Sequence, residues 1–240
     1  MIEFRSVTYG IEDVPILEEI TLTIPDDEFV LIAGPNGSGK TTLLRHCNGL
    51  LTPTEGTVFV NDTPVGDDLV AARTAVGMVF QHPRDQFVAP TVGEDVAFGP
   101  ENLGLEREEI ERRVREALRA VRLEGRERDR IDTLSGGEAS RLAIAGALAI
   151  EPTHLVLDEP FTGLDEPARR SVLTHLESLS ATGTGIILAT HDLRDVLEVS
   201  DRVLLVHERT IAADIEPNEG VQTLAEYGVR VPRGWREQER

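Results

Sequence analysis

One eight-residue stretch, Gly34-Pro35-Asn36-Gly37-Ser38-Gly39-Lys40-Thr41, constrains this chain more than any other. It fits the spacing G-x-x-x-x-G-K-[ST], in which glycines let backbone N–H groups converge on phosphate oxygens with no side chain in the way. The apolar run Phe29–Ala33 precedes it, and Thr42-Leu43-Leu44-Arg45-His46 opens a helix after it. The loop is therefore expected between a buried strand and a helix N-terminus, whose positive end adds to the phosphate site. Lys40 then reaches the outer phosphates as a compact charge, and the Thr41 hydroxyl is placed to ligate Mg²⁺. The candidate phosphate-binding set is Gly34, Asn36, Gly37, Ser38, Gly39, Lys40, Thr41 and Thr42. Lys40 is the only lysine among the 24 basic residues; the other 23 are arginine.

The rest of the chain reads as an α/β protein around that loop. Ile2–Thr8, Leu17–Ile24 and Thr57–Val60 read as strands near the N-terminus. Val76–Phe80, His154–Leu157, Ile186–Ala189 and Val203–Val206 are short apolar runs, several separated by helix-length segments, which predicts a parallel sheet with helices on its faces. Between Gln86 and Ile150 the pattern turns helical. Ile110, Val114, Ala117, Leu118 and Val121 follow helical spacing, and Ala139–Ala149 is apolar nearly all round and is expected to be buried. Glu108/Arg112, Glu109/Arg113 and Glu111/Arg115 are i,i+4 pairs and read as a solvated face. The stretch Val79–Pro100 reads as a connector that mixes apolar residues with prolines.

Composition sets limits. The net charge is −19, from 43 acidic against 24 basic residues, with a pI near 4.7. Such a surface excludes general nucleic-acid binding, because phosphate backbones need a cationic footprint. It is expected of a salt-rich cytoplasm, where screening makes self-repulsion tolerable. No apolar run reaches the length of a membrane-spanning helix, the N-terminus lacks a signal-peptide pattern, and the single cysteine, Cys47, forms no internal disulfide. A cytoplasmic protein is expected.

Two further motifs carry chemistry. Leu155-Val156-Leu157-Asp158-Glu159 is an apolar strand ending in two acids. Beside a phosphate site, an acid at a buried strand end holds Mg²⁺ directly or through water, and the next carboxylate orients or deprotonates an attacking water. In Leu134-Ser135-Gly136-Gly137-Glu138, Ser135 and Glu138 form a capping box for the apolar helix that follows. The box does not account for two adjacent glycines, which leave a bare helix N-terminus suited to a phosphate.

With these motifs in this order, followed by Gly163-Leu164-Asp165 and Ala189-Thr190-His191-Asp192, the chain resembles the nucleotide-binding subunit of ABC transporters over nearly its whole length. The resemblance implies a P-loop NTPase fold: a RecA-like core, an N-terminal antiparallel β subdomain and an inserted α-helical subdomain. It implies one ATPase domain over 1–225, with core and β subdomain in 1–85 and 151–225, the helical subdomain in 86–150, and a short tail at 226–240. It also implies a head-to-tail dimer with a second ABC ATPase subunit, in which Ser135 and Gly137 of one copy contact the γ-phosphate of ATP on the other. By the same likeness Glu159 is the general base, His191 the switch between base and γ-phosphate, and Gln81 the link from Mg²⁺ to a membrane contact. Asp165 would sit at the dimer seam, and Tyr9 is similar to the adenine-stacking aromatic. The metal set would be Thr41, Gln81 and Asp158. One departure is Glu138, where many members have glutamine; it adds negative charge near a phosphate.

The segment Val79–Phe87, continuing through Ala89–Pro100, and Leu142-Ala143-Ile144-Ala145-Gly146 closely resemble the ATPases of energy-coupling-factor importers, which serve cobalt, nickel, biotin and other vitamins. That likeness implies a transmembrane coupling subunit docking near Gln81–Gly99, a separate substrate-binding membrane subunit, and a place at the cytoplasmic face of the cell membrane. Many relatives carry a longer C-terminal extension that helps them dimerise. The competing readings are another ABC importer, a soluble ABC ATPase of DNA repair or translation, and an ATP-holding regulator without turnover. The single cassette, the lack of a heptad run and the acidic balance speak against the second, and Glu159 with His191 against the third.

Overall fold

A computed structural model describes residues 1–217 and 219–232, with only the backbone of 222 and 223. The N-terminal part is an antiparallel sheet of β1 (Ile2–Ile11), β2 (Val14–Ile24), β4 (Glu55–Val60) and the short β5 (Thr63–Pro64), in the order β2-β1-β4-β5. The second sheet runs β10-β9-β3-β8-β7-β6, from β3 (Phe29–Ala33), β6 (Val76–Val79), β7 (His154–Asp158), β8 (Gly185–Thr190), β9 (Arg202–His207) and β10 (Thr210–Ile215). It is parallel from β9 through β6, with β10 antiparallel at the edge. The central strands β3, β7 and β8 are buried throughout, so their runs are continuously apolar rather than alternating.

That sheet separates two hydrophobic cores. Phe29, Leu31, Leu155, Leu157, Ile186 and Leu188 face one of them. It takes in α3 (Val92–Asn102), α4 (Arg107–Ala120), α5 (Gly136–Leu148) and α6 (Glu166–Ser180) through Val96, Leu118, Leu142 and Leu176. Val30, Ile32, Val156, Ile187 and Ala189 face the other, closed by Phe4, Leu17 and Ile20 of the antiparallel sheet and by Leu43 and Leu44 of α1 (Lys40–His46). A further helix, α2 (Leu69–Ala75), precedes β6 and is N-capped by Asp68. No described helix is long and apolar enough to cross a membrane.

Two readings are sharpened. The stretch Val79–Pro100, read as a connector and overlapping the helical pattern expected from Gln86, contains α3 from Val92 onward. Val92, Val96 and Pro100 form a buried stripe four residues apart, which Gly93, Gly99 and Pro100 disguise as breakers. Those glycines meet neighbours instead: a Cβ on Gly93 would lie 3.0 Å from the Glu127 carbonyl, and one on Gly99 would lie 2.6 Å from Ile150 Cγ2. The Glu/Arg face of α4 is also not merely solvated. Arg113 bonds Glu109 (2.8 Å), but it is 15% exposed and reaches Glu151 (2.9 Å) beyond the end of α5. Arg112 pairs with Glu109, Glu116 and Glu151, and Glu111 pairs with Arg107, in place of the Glu108/Arg112 and Glu111/Arg115 pairs. The face is a set of ion pairs tying α4 to the α5–β7 loop.

Of the segment 226–240, residues 226–232 are described. Val221, Leu224 and Val229 pack into the first core, and Arg230 forms a parallel bridge with Asp192.

Candidate nucleotide site

The chemistry-bearing residues gather where the parallel strands end at their C-termini, the edge at which open α/β sheets bind ligands. The loop after β3 turns sharply back. Gly34 has φ 150°, and a Cβ there would strike the Val206 carbonyl at 2.4 Å. Gly39, immediately before α1, has φ 105° and packs under Ile16 and Leu17 of β2, so only glycine fits. Inside the turn, Lys40 is nearly buried, and its Nζ donates to the carbonyls of Gly34 (2.8 Å) and Pro35 (3.0 Å). Burial pulls its pKa below the usual lysine value, against the opposing charges of Glu159 and Asp158. Asn36 and Gly37 are exposed at the tip, while Ser38, Thr41 and Thr42 are half-buried.

The end of β7 faces this loop. The Thr41 hydroxyl donates to Asp158 Oδ2 at 2.7 Å. Asp158 Oδ1 and Ser38 Oγ are buried without a partner. Burial raises the Asp158 pKa, Thr41 opposing and the Glu159 charge adding to the rise. No group of three His, Cys, Asp or Glu that could hold a metal occurs among the described residues. A cation here would instead use the Thr41 hydroxyl, the free Asp158 oxygen and the Gln81 amide, a hard-oxygen set that suits Mg²⁺ with water and phosphate completing the shell. Gln81 is exposed, and it lines a cleft of about 440 Å³ together with Thr41, Asp158, Arg45, Leu50 and Phe80.

Glu159 follows in a left-handed conformation, φ 47°, which is uncommon for a side chain of its size. Its N–H is fixed on the Ala189 carbonyl (2.9 Å). Its carboxylate takes the Thr190 hydroxyl on Oε2 (3.1 Å), and the His191 N–H (3.1 Å) and Nδ1 (2.8 Å) on Oε1. A carboxylate only accepts, so this His191 Nδ1 carries the proton. The strain at Glu159 is thus held by three donors from the end of β8. Tyr9 lies against the other end of α1, where its ring meets buried His46 edge-on, centroids 5.0 Å apart; no contact joins it to the phosphate loop among the described residues.

Ser135 and Gly137 lie apart, at the start of α5. No hydrogen bond or ion pair joins them to the phosphate loop among the described residues. The capping box is present: Ser135 Oγ accepts from the Glu138 N–H, and Glu138 Oε2 takes the Ser135 N–H (2.8 Å) and hydroxyl (2.7 Å). Gly137 has a packing reason, since a Cβ would lie 3.0 Å from Ala168 Cβ. Gly136 faces open space with no neighbour within 4 Å. Asp165 N-caps α6 by accepting from the Ala168 N–H (2.9 Å). A residue outside the sequence reading enters here: Arg126 donates to Glu138 Oε1 and to Asp129 Oδ2 (2.6 Å). The Ser135 N–H and hydroxyl, with Arg126, hold the Glu138 carboxyl down at about 2. Arg84 also ties the segment after β6 to this region, donating to the Ile131 (3.4 Å) and Leu134 carbonyls.

The family profile described as ABC transporter matches residues 17–162, which takes in the phosphate loop, Ser135–Glu138 and the Asp158-Glu159 strand end. A Halobacterium salinarum protein, provisionally assigned as an ABC transporter ATP-binding protein, is 56% identical over 232 residues, 97% of this chain and all of that one. The energy-coupling factor transporter ATP-binding protein of Methanocaldococcus jannaschii is 45% identical over 91% of this chain and 80% of its own length. Among solved structures, cbiO1 of Clostridium perfringens, part of the ABC transporter complex cbiONQ, aligns with a TM-score of 0.83 at 33% identity, covering 95% of this chain and 92% of that one. A dimeric ATP-binding cassette in a post-hydrolysis state with ADP and Pi aligns at 0.80 and 29%, covering 90% and 99%. On the strength of these sites and likenesses, the chain belongs to the ABC transporter family, as an ATP-binding domain that hydrolyses ATP.

Proposed function

We propose that this chain is the ATPase of an energy-coupling-factor importer, converting ATP hydrolysis into uptake of a small solute such as cobalt, nickel or a vitamin of the biotin type. Relatives named for energy-coupling factor and for cobalt import support the class. The observation that carries the chemistry is the Glu159 carboxylate, strained, held by His191 and Thr190, and next to the Thr41–Asp158 pair. In this reading Lys40 and the N–H groups of Gly37, Gly39, Lys40, Thr41 and Thr42 cradle the phosphates, with Gly34, Asn36 and Ser38 shaping the loop. Thr41, Gln81 and Asp158 would hold Mg²⁺, which when bound neutralises charge on the β- and γ-phosphates. Glu159 takes a proton from the attacking water as its oxygen bonds phosphorus and the bond to the ADP oxygen breaks. His191 keeps that carboxylate aimed. Tyr9 stacks on adenine.

Ser135 and Gly137 complete the site of a second copy or a paired subunit, in keeping with the lack of any hydrogen bond between them and this chain's own loop among the described residues. A transmembrane coupling subunit docks near Gln81–Gly99, a stretch in which Val88 (60%) and Phe98 (48%) stand exposed. A separate membrane subunit binds the solute, and the assembly sits at the cytoplasmic face of the membrane. The test is Glu159→Gln: turnover falls by at least about a hundredfold while ATP still binds and drives a stable dimer. Normal hydrolysis by this variant removes Glu159 as the base. Copurification with a membrane partner checks the coupling.

A further inference from the structure

Glu138 places a full negative charge on the third residue of α5, on the helix end that the proposed function presents to the γ-phosphate of a second copy. The capping box satisfies Oε2, but it leaves the charge in place. Oε1 is met from outside the helix by the Arg126 guanidinium. Arg141, one turn further along α5, feels the same carboxylate but gives its Nη1 to the Val121 carbonyl (3.2 Å). Arg126 is not a free-floating partner. Its loop is pinned to the start of α3, with the Val92 N–H on the Asp129 carbonyl (3.0 Å), the Gly93 N–H on the Glu127 carbonyl (2.8 Å) and the Ile131 N–H on the Pro90 carbonyl (3.1 Å). Asp129 holds the guanidinium from its other side at 2.6 Å. The pair is two-thirds covered, Arg126 34% and Glu138 24% exposed, so water screens it only in part.

We infer that Arg126 is a positioning residue for the composite site: though it shares its charge with Asp129, it offsets the Glu138 charge and fixes that carboxylate on the capping box, so that α5 offers the phosphate of a second copy a less negative edge. This rests on the reading that Ser135 and Gly137 face a nucleotide held by another subunit. Without Arg126, a free carboxylate would confront a polyphosphate across a closing interface, a like-charge contact that opposes assembly. With glutamine at 138, the need for Arg126 disappears.

The experiment uses the full chain in the Glu159→Gln background, reading the ATP concentration that gives half-maximal dimer by analytical ultracentrifugation. Failure of the Glu159→Gln parent to dimerise at any ATP concentration overturns the functional reading itself, and this inference with it. Given a dimerising parent, Arg126→Ala is expected to raise that concentration about tenfold at low KCl, with the loss shrinking as KCl rises. Adding Glu138→Gln to Arg126→Ala is expected to restore it to within about twofold of Glu138→Gln alone. Thermal unfolding of each variant separates folding defects from assembly defects. Two results overturn the inference: no effect of Arg126→Ala, or a double variant as impaired as Arg126→Ala, which would make Arg126 a brace for its own loop.

Discussion

Asp158 carries a buried charge, and one of its two oxygens has no partner in the chain. Burial raises its pKa above the ordinary 3.8, which means that the fold disfavours the ionised form. The sign follows by linkage. The cost to the folded state begins as pH rises past the unfolded value near 3.8 and grows until the folded carboxyl is ionised, so the charge weighs against the fold on the alkaline side. Asp158→Asn keeps an oxygen for the Thr41 hydroxyl and removes the charge. The nucleotide-free variant is therefore expected to melt about 2–4 °C higher at pH 7.5, while Mg²⁺-dependent hydrolysis falls about a hundredfold. Differential scanning fluorimetry and a phosphate-release assay check the two halves, and a lower melting temperature refutes the argument. At this scale the sequence was informative where a residue's placement follows from its immediate neighbours. Gly34, Lys40, Thr41 and the Asp158-Glu159 pair needed only a strand, a turn and an acid at a strand end. Arg126 was not legible: its partner is twelve residues away across a turn, and neither periodicity nor motif spacing encodes that contact.

Elements were legible in proportion to how cleanly one face is buried. β3 falls where its five apolar residues predict, and β7 and β8 gain only a residue at one or both ends. α3 was hidden because its stripe includes a proline, and its glycines make close approaches rather than turns. The segment after β10 was equally obscure, yet it touches the site. The Arg230 N–H donates to the His191 carbonyl (2.8 Å), the Leu193 N–H donates to the Arg230 carbonyl (2.7 Å), and Gly228 lies against Pro35 of the phosphate loop. This backbone clip holds the loop that aims Glu159. Arg230→Pro deletes the donor to His191 and is expected to lower kcat about tenfold or more, with fluorescent-ATP affinity within about twofold. Arg230→Ala keeps the N–H and loses only an exposed contact to Asp192 at 3.7 Å, so its kcat is expected to stay near wild type. Equal losses in the two variants would assign the effect to the side chain and refute the clip.

At the scale of the whole molecule the charge of −19 is the property that no single site explains. The arginines are largely committed to local pairs, such as Arg202 with Asp214 (2.6 Å) and Arg169 with Asp195 (2.5 Å). Exposed pairs of this kind contribute little to stability, and they leave the remaining acids to repel one another. The screening length falls from about 10 Å at 0.1 M salt to about 3 Å at 1 M, so added KCl relieves that repulsion first where acids are farthest apart and last within clusters. The closing of two such acidic copies around ATP meets the same repulsion twice, once within each chain and once between them. Hydrolysis, which on the proposed reading needs the dimer, should therefore gain more from salt than the melting temperature does. Both are expected to rise with KCl, with an activity optimum above about 1 M and a steeper salt response for ATP-driven dimerisation than for unfolding. An optimum below about 0.2 M KCl would break the link between this surface and a salt-rich cytoplasm, and a dimerisation that weakens with salt would show attraction across the interface in place of repulsion.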